Sequence, residues 1–354
     1  MAYSTIKDPS AHFQTKTYTG TNNSNALTND GNSDLKPDFL WIKRRDYDNG
    51  HQLLDSTRGV DKILGSELTS AETTLANRLS SFDTDGFTVE SSSGAFNASG
   101  EPFVAWQWKA NGGTTASNTD GDLTSTVQFN STAGFSIVTY TGIDPIEPLQ
   151  VGHGMGEAPD VIIIKNRSSA RLWAVYHKDL TSPAANRYLI LNTSTYGELA
   201  NSTLWGNVAP SSTIITTGEN AAVNQPNENL VAYCWKERQG FSKFGKYVGN
   251  GNANGPFVYT GFKPALVINR RIDAGGPWTI FDSARCPNNV NNAKLYPHAS
   301  DAEVTTTGDP IDFLSNGYKL RGSGSDCNVN GGSYIYMAFA EHPFVAGGVP
   351  TTAR

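Results

Sequence analysis

The stretches "LLDSTRG" (Leu53–Gly59) and "IFDSARC" (Ile280–Cys286) carry Asp, Ser and Arg at one spacing. An aspartate beside an arginine suits an acid–base site. It equally suits a strand end where a carboxylate fastens local backbone amides. The surroundings separate the two readings. Eighteen residues before Asp55 and Asp282 stand Pro37 and Pro264, each opening an apolar run with a basic end, "PDFLWIKRR" and "PALVINRR". A third run, "PDVIIIKNR", opens at Pro159, and eighteen residues further on stands His177. The motif belongs to a repeated frame, and one of its three appearances lacks the aspartate.

Other landmarks keep the same order. "FQTKTYTG" from Phe13, "FSIVTYTG" from Phe135 and "FGKYVGNG" from Phe244 precede the prolines. Thr69–Glu72, Thr195–Glu198 and Ser300–Glu303 share an S/T-x-x-E pattern. Phe87, Ile214 and Tyr318 each lie ten residues before an asparagine, Asn97, Asn224 and Asn328, and nine more residues lead to Trp106, Tyr233 and Met337. Self-similarity of this kind is the mark of a repeated structural unit. The expected organisation is an N-terminal arm (1–12), modules at 13–110, 135–237 and 244–344, a polar linker or arm at 111–134 and a C-terminal tail (345–354). Only "RQGFSK" separates the second and third modules, which are expected to pack as a rigid pair.

The composition points to strands. Charged residues make up 17% of the 354 residues, so Asn, Ser, Thr and Gly must supply most of the polar surface. Short apolar runs bounded by Gly, Asn and Asp read as strands and turns, and the expected fold is all-β, three tandem β-sandwich modules with one or two short helices at most. "DTDGFTV" (83–89) and "LSNGYKL" (314–320) read as tight hairpins. Thr69 and Glu72 read as a capping box opening a helix with Leu75, Leu79 and Phe82 on one face. In the closing strand "PFVAWQWKA", Val104, Trp106 and Trp108 alternate with Phe103 and Ala105, so both faces need cover, one from the module's own sandwich and one from a neighbouring module or subunit.

Net charge is −6 with no run of Lys or Arg, which disfavours nucleic-acid binding. No apolar stretch is long enough to span a bilayer, and "MAYSTIKDPS" does not read as a signal peptide. Three cysteines without C-x-x-C spacing read as reduced thiols.

No catalytic constellation stands out, and the chain is expected to be non-enzymatic and without a cofactor. Asp83, Asp85, Glu303 and Asp309 are available carboxylates, yet no spacing pairs them for glycoside hydrolysis. Ser56 and Ser283 lack a nucleophile elbow, and His153 sits in a glycine-rich turn. Asp55–Arg58 and Asp282–Arg285 read as structural, an exposed pair worth about 0–1 kcal/mol. Asn118, Asp120 and Asp122 could line a calcium site, though the glycine and distal glutamate of an EF-hand loop are missing; no zinc spacing is present. Trp41 and Trp205, together with Trp173 and Trp278, could stack on sugar rings, against a core reading for all four.

The phrases "MAYSTIKDPSAHFQT", "FLWIKRR", "LLDSTRG", "FDTDGFTV", "FVAWQWK", "GFSIVTYTG", "FSKFGKYVGNGNANGPFVYTGFKPA" and "YIYMAFAEHPF" resemble a repeat family of marine bacteriophage proteins, including viruses of cyanobacteria. The resemblance covers nearly the whole chain. It implies a virion structural protein assembled in the host cytoplasm, with a tail fibre or adhesin as the expected role. Decoration of the capsid or a fixed part of the tail is the alternative, and a surface-polysaccharide depolymerase the third. Implied partners are copies of itself, as a trimer, other virion proteins and a host-surface glycan or protein. No catalytic residues carry over, and His177 in place of the aspartate departs from a shared site.

Overall fold

A computed structural model describes residues 4–90, 94–143, 148–346 and 349–350. Among these residues regular structure is strand, apart from two three-residue 3-10 turns, Pro9–Ala11 and Ala184–Asn186. The fold is all-β.

The first strands are β1 (Phe13–Thr19), β2 (Asn25–Leu27), β3 (Phe39–Arg44), β4 (Gln52–Asp55), β5 (Gly59–Leu64), β6 (Thr73–Thr74), β7 (Leu79–Asp83), β8 (Gly86–Val89) and β9 (Pro102–Trp108). They form a sheet ordered β1-β9-β3-β4-β5-β6 and a smaller one ordered β2-β8-β7. Next come β10 (Ala116–Asn118), β11 (Ser125–Asn130), β12 (Phe135–Thr141), β13 (Leu149–Gly152), β14 (Val161–Asn166), β15 (Trp173–His177), β16 (Arg187–Ile190), β17 (Leu199–Ala200), β18 (Ile214–Thr217) and β19 (Asn229–Trp235). Their sheet runs β10-β11-β12-β19-β14-β15-β16-β17, with β13-β18 apart. The last group is β20 (Ser242–Val248), β21 (Phe257–Tyr259), β22 (Phe262–Arg271), β23 (Trp278–Asp282), β24 (Ala293–Lys294), β25 (Val304–Thr305), β26 (Ile311–Leu314), β27 (Gly317–Leu320) and β28 (Ser333–Pro343). Here the sheets are β20-β28-β22-β23, β21-β27-β26 and the pair β24-β25.

One antiparallel order recurs at the heart of each large sheet: β1-β9-β3-β4, β12-β19-β14-β15 and β20-β28-β22-β23. In each, the closing strand of the sequence pattern lies second, between the strand that starts the pattern and the strand that follows the proline. Because side chains alternate across a strand, each closing strand feeds two cores. Phe103 and Ala105 of β9 pack with Phe87 and Val89 of the small sheet. Val104, Trp106 and Trp108 join Tyr233 and Trp235 of β19 and Met337 and Phe339 of β28 in one cluster shared by all three large sheets. Rings interlock there: Phe39 stacks on Tyr233 with centroids 4.3 Å apart, and Phe13 on Phe339 at 5.2 Å. The cover required by the closing strand therefore comes from neighbouring sheets of the same chain.

The outer cores repeat a second device. Tyr18, Tyr140 and Tyr247 donate their buried hydroxyls to the carbonyls of Phe96, Val223 and Cys327 at 2.7, 2.7 and 2.9 Å. The next residue is in each case the landmark asparagine. Asn97, Asn224 and Asn328 accept the backbone N–H of Thr21, Ile143 and Asn250 at 2.8, 3.2 and 2.8 Å. These bonds tie the loop after the first strand of each pattern to the buried asparagine.

The two expected hairpins are present, Asp83 facing Gly86 and Leu314 facing Gly317. Both glycines admit a third strand: a Cβ would lie 1.9 Å from the Leu27 carbonyl oxygen at Gly86 and 2.2 Å from that of Val258 at Gly317. Asn111–Ala133, read as a linker or arm, carries β10 and β11, which add to the edge of the second large sheet. The expected helix after Thr69 is absent. The Glu72 carboxylate turns across to arginines instead of back toward its own cap, and Thr73–Thr74 pairs with β5. Within the tail, Val345–Ala346 pairs with Val349–Pro350, and its other residues, like Met1–Tyr3 of the arm, lie outside the described residues.

Candidate functional site

The two D-S-x-R stretches make clusters with matching hydrogen bonds. In the first, the Arg58 amide donates to Asp55 Oδ1 at 2.8 Å and its Nε to Oδ2 at 2.5 Å, while Nη1 reaches Glu72 at 2.7 Å and Nη2 the Leu53 carbonyl at 3.1 Å. In the second, the Arg285 amide and Nε bind Asp282 at 2.8 and 2.5 Å, Nη1 reaches Glu303 at 2.9 Å and Nη2 the Ile280 carbonyl at 3.0 Å. The side chains of all four aspartate and arginine residues are 0% exposed, which corrects the expected exposed pair to a buried one. Removing one partner of such a pair leaves a desolvated charge, at a cost of about 3–5 kcal/mol.

Each cluster is completed from the neighbouring sheet. Tyr233 on β19 donates its hydroxyl to Asp55 Oδ2 at 2.7 Å, and Trp106 on β9 donates Nε1 to Asp282 Oδ2 at 3.0 Å. Arg167 binds Glu72 through Nε and Nη2, both at 2.8 Å; Arg45 binds Glu303 at 2.9 and 2.7 Å. The glutamates also donate their backbone N–H to the carbonyls of those same arginines, at 2.8 and 2.6 Å. Burial works to raise Glu72 and Glu303, but the arginines outweigh it and hold both carboxyls below their ordinary value. Burial likewise opposes the charge on Arg58 and Arg285, yet the adjoining carboxylates raise both above the ordinary arginine value. Both shifts favour the charged forms of Glu72, Glu303, Arg58 and Arg285.

The third interface keeps the backbone bond and the glutamate, but neither the aspartate nor the two arginines; the Glu198 carboxylate instead accepts the Thr181 N–H at 2.8 Å. Glu198 donates its N–H to the Ile272 carbonyl at 2.7 Å, matching Glu72 and Glu303. His177 stands in place of the aspartate, Leu180 in place of the arginine, Ile272 in place of the outer arginine and Met337 in place of Tyr233 or Trp106. Leu180, Ile272 and Met337 are buried in the shared cluster, and His177 Nε2 lies 3.3 Å from the Tyr336 carbonyl. Burial pulls His177 down to about 3, so the ring is neutral. Four charged or donor positions have changed together, as positions in one network must if no charge is to be stranded.

A second ring of contacts joins the sheets through their outer ends. Trp173 Nε1 donates to the Gly65 carbonyl and Trp278 Nε1 to that of Ile190, each at 2.9 Å, while His51 Nε2 lies 2.9 Å from the Tyr296 carbonyl. Sequence reasoning missed the buried cations at the sixth position after each proline. Lys43 and Lys165 are lowered to about 8 and Arg270 to about 10, each by burial. Lys165 donates to the Thr69, Asn166 and Arg171 carbonyls, and Arg270 to that of Tyr196. The signal was the basic end of "WIKRR", "IIKNR" and "VINRR", which served only as a landmark of the repeat.

The other candidates are dispersed. Trp41 and Trp205 are 3% and 2% exposed, so neither offers a ring face to a sugar; Trp41 Nε1 donates to His51 and Trp205 Nε1 to the Arg187 carbonyl. Asn118 and Asp120 bond each other, Asn118 Nδ2 donating to Asp120 Oδ2 at 2.9 Å and the Asp120 N–H to Asn118 Oδ1 at 3.0 Å, while Asp122 accepts the Gln150 N–H at 2.9 Å. Asp83 accepts from Ser81 and Thr88, Asp85 from the Leu35 amide, and Asp309 pairs with Lys294. His153 is buried between the Met155 amide and the Ser211 carbonyl.

Fold and site together define an all-β protein whose marked acids and arginines join one sheet to the next. The chain belongs to the family described as a domain of unknown function, DUF7483, whose profile matches residues 8–343. No curated protein matches the chain, and no solved structure does.

Proposed function

We propose that one sandwich-building pattern is laid down three times, at 13–110, 135–237 and 244–344, and closes on itself within the chain. Its role is architectural: a non-enzymatic component of a bacteriophage virion, in a tail fibre that attaches the particle to its host. The observation that carries the architectural reading is the destination of the landmarks. Asp55, Asp282, Glu72 and Glu303 each end on a donor from another large sheet, where they fasten one wall to the next. The particle and its host rest on the sequence resemblance. Assembly in the host cytoplasm, a trimer of chains and contacts with other virion proteins and a host-surface glycan or protein follow from the same reading.

Imaging intact virions with a label on the C-terminus tests the location. Label at a tail extremity supports the fibre; label over the shell overturns it in favour of capsid decoration. Free protein should also compete with phage for host cells. Release of oligosaccharide from host capsule or lipopolysaccharide, abolished by Asp55→Asn or Asp282→Asn, would replace the architectural role with an enzymatic one.

A further inference from the structure

Strand β12 does not end its sheet. Strand β11 pairs along its outer edge, with Gln128 opposite Ile137 and Asn130 opposite Phe135. The fully buried Gln128 amide crosses to the first sheet and donates to the hydroxyls of Ser56 and Thr57 at 2.9 and 2.8 Å. The first and second patterns are offset by 122 residues, as Phe13 and Phe135 or Pro37 and Pro159 show, so Thr15 on β1 corresponds to Ile137.

Strand β1 does end its sheet. The segment that would correspond to β11 turns away at Pro9–Ala11 and buries Ile6 in the shared cluster. Beside the free edge lies a cavity of about 460 Å³ bounded by Thr15 and Thr17 of β1, by Ser283 and Ala284, and by Ala265 and Glu341. Ser283 and Ala284 hold the positions of Ser56 and Thr57. The Thr15 hydroxyl is buried against this space without a hydrogen-bond partner. Ala265 stands where Asp38 and Asp160 occur, and those carboxylates hold following backbone, Asp38 the amides of Ala110, Gly112 and Gly113 and Asp160 that of Glu237. Lys16 of β1 pairs with Asp30 at 2.6 Å, and Asp8, Asp30 and His342 also border the cavity, so the groove beside this edge is polar and charged. Among the described residues no strand pairs along the outer edge of β1.

We infer that the edge of β1 is an acceptor for an extended strand of a partner protein, added to the sheet as β11 is added to β12. Main-chain pairing supplies affinity in this mode and alternate side chains supply selectivity. The strand recognised carries glutamine or asparagine opposite Thr15, where its amide reaches the Thr15 and Ser283 hydroxyls as Gln128 reaches Ser56 and Thr57. The inference uses the internal register of the repeat and is independent of any place in a virus particle.

The probe is the synthetic peptide LTSTVQFN, the sequence of Leu123–Asn130, added to the full chain at millimolar concentration while amide hydrogen exchange is followed. Saturable protection of residues 13–17 is expected, weakened about tenfold when the peptide glutamine is alanine. Ala284→Trp, at an exposed position, fills the groove and should abolish the protection without lowering the melting temperature. Absence of protection at β1, protection unaffected by Ala284→Trp, or protection confined to residues 135–141 would each overturn the assignment. Self-association of the free protein that Ala284→Trp removes would give the edge to a second copy, and would also overturn it.

Discussion

The bond from Trp106 to Asp282 joins residues 176 apart in the chain, and it should behave as one member of a network. Trp106 is 0% exposed, meets Trp41 edge-on with centroids 5.9 Å apart, and lies 5.8 Å beneath the Arg285 guanidinium. Trp106→Phe removes the N–H donor and retains an aromatic ring. A hydrogen bond to a charged group contributes about 1.5–3 kcal/mol. The smaller ring leaves on the order of 40 Å³, a further ~1 kcal/mol at about 24 cal/mol per Å³. The single variant should therefore lose about 2.5–4 kcal/mol. Asp282→Asn leaves the Arg285 charge buried beside a neutral amide and should lose about 3–5 kcal/mol. In the double variant the tryptophan no longer serves a carboxylate, so the losses should fall short of their sum by at least about 1 kcal/mol. Urea unfolding followed by far-ultraviolet circular dichroism measures all four proteins without depending on the altered tryptophan. A double variant within about 0.3 kcal/mol of additivity would refute the shared network. So would separate unfolding steps for the three sheet pairs, because a cluster common to all three predicts one transition.

The third interface makes a complementary prediction. Leu180→Arg alone should lose about 3–5 kcal/mol by stranding a charge, whereas adding His177→Asp and Ile272→Arg should recover most of it; melting curves of the single and triple variants decide. Acid should act through the histidines. His51 and His177 are lowered to about 3 by burial, below the ordinary value of 6.5, so the unfolded chain takes up protons first as pH falls. Their contribution is complete above pH 6.5 and is lost progressively toward pH 3, by about 2 kcal/mol for each ring at pH 5. His177→Gln should flatten that decline in a pH series of urea midpoints. Glu72 and Glu303, held low by arginine, add to the loss only at more acidic pH. Finally, Cys234 and Cys327 are buried with thiols raised by burial, while Cys286 is partly exposed. A thiol reagent should label Cys286 in the native protein and all three cysteines in denaturant, as peptide mass mapping would show.

What the sequence disclosed, and what it withheld, follows the range of the interactions involved. Strand order within a sheet left local traces: alternation in "PFVAWQWKA", Asp-Gly and Asn-Gly at the hairpins, tyrosine and asparagine at matching intervals. Both faces of β9 were legible as buried because side-chain period is a property of the strand itself. The helix after Thr69 was misread for the opposite reason. S/T-x-x-E describes a local bond, and the glutamate's true partner, Arg167, lies 95 residues away. The D-S-x-R pairing was legible from its spacing, but its burial was not, because spacing carries no information about what covers a strand end. Covariation within the one chain did carry it. Where Asp becomes His177, Arg becomes Leu180, outer Arg becomes Ile272 and the closing donor becomes Met337, and the four changes make sense only if these positions meet. A buried aspartate needs its arginine, that arginine needs the glutamate, and the glutamate's remaining oxygen calls for a second arginine from the next sheet. Losing the aspartate strands the inner arginine, so aspartate and arginines change together, while the glutamate stays only where its carboxylate finds another donor, as Glu198 does in the Thr181 N–H. The two interfaces with the arginines and the one without them are those two solutions, occurring side by side in a single molecule.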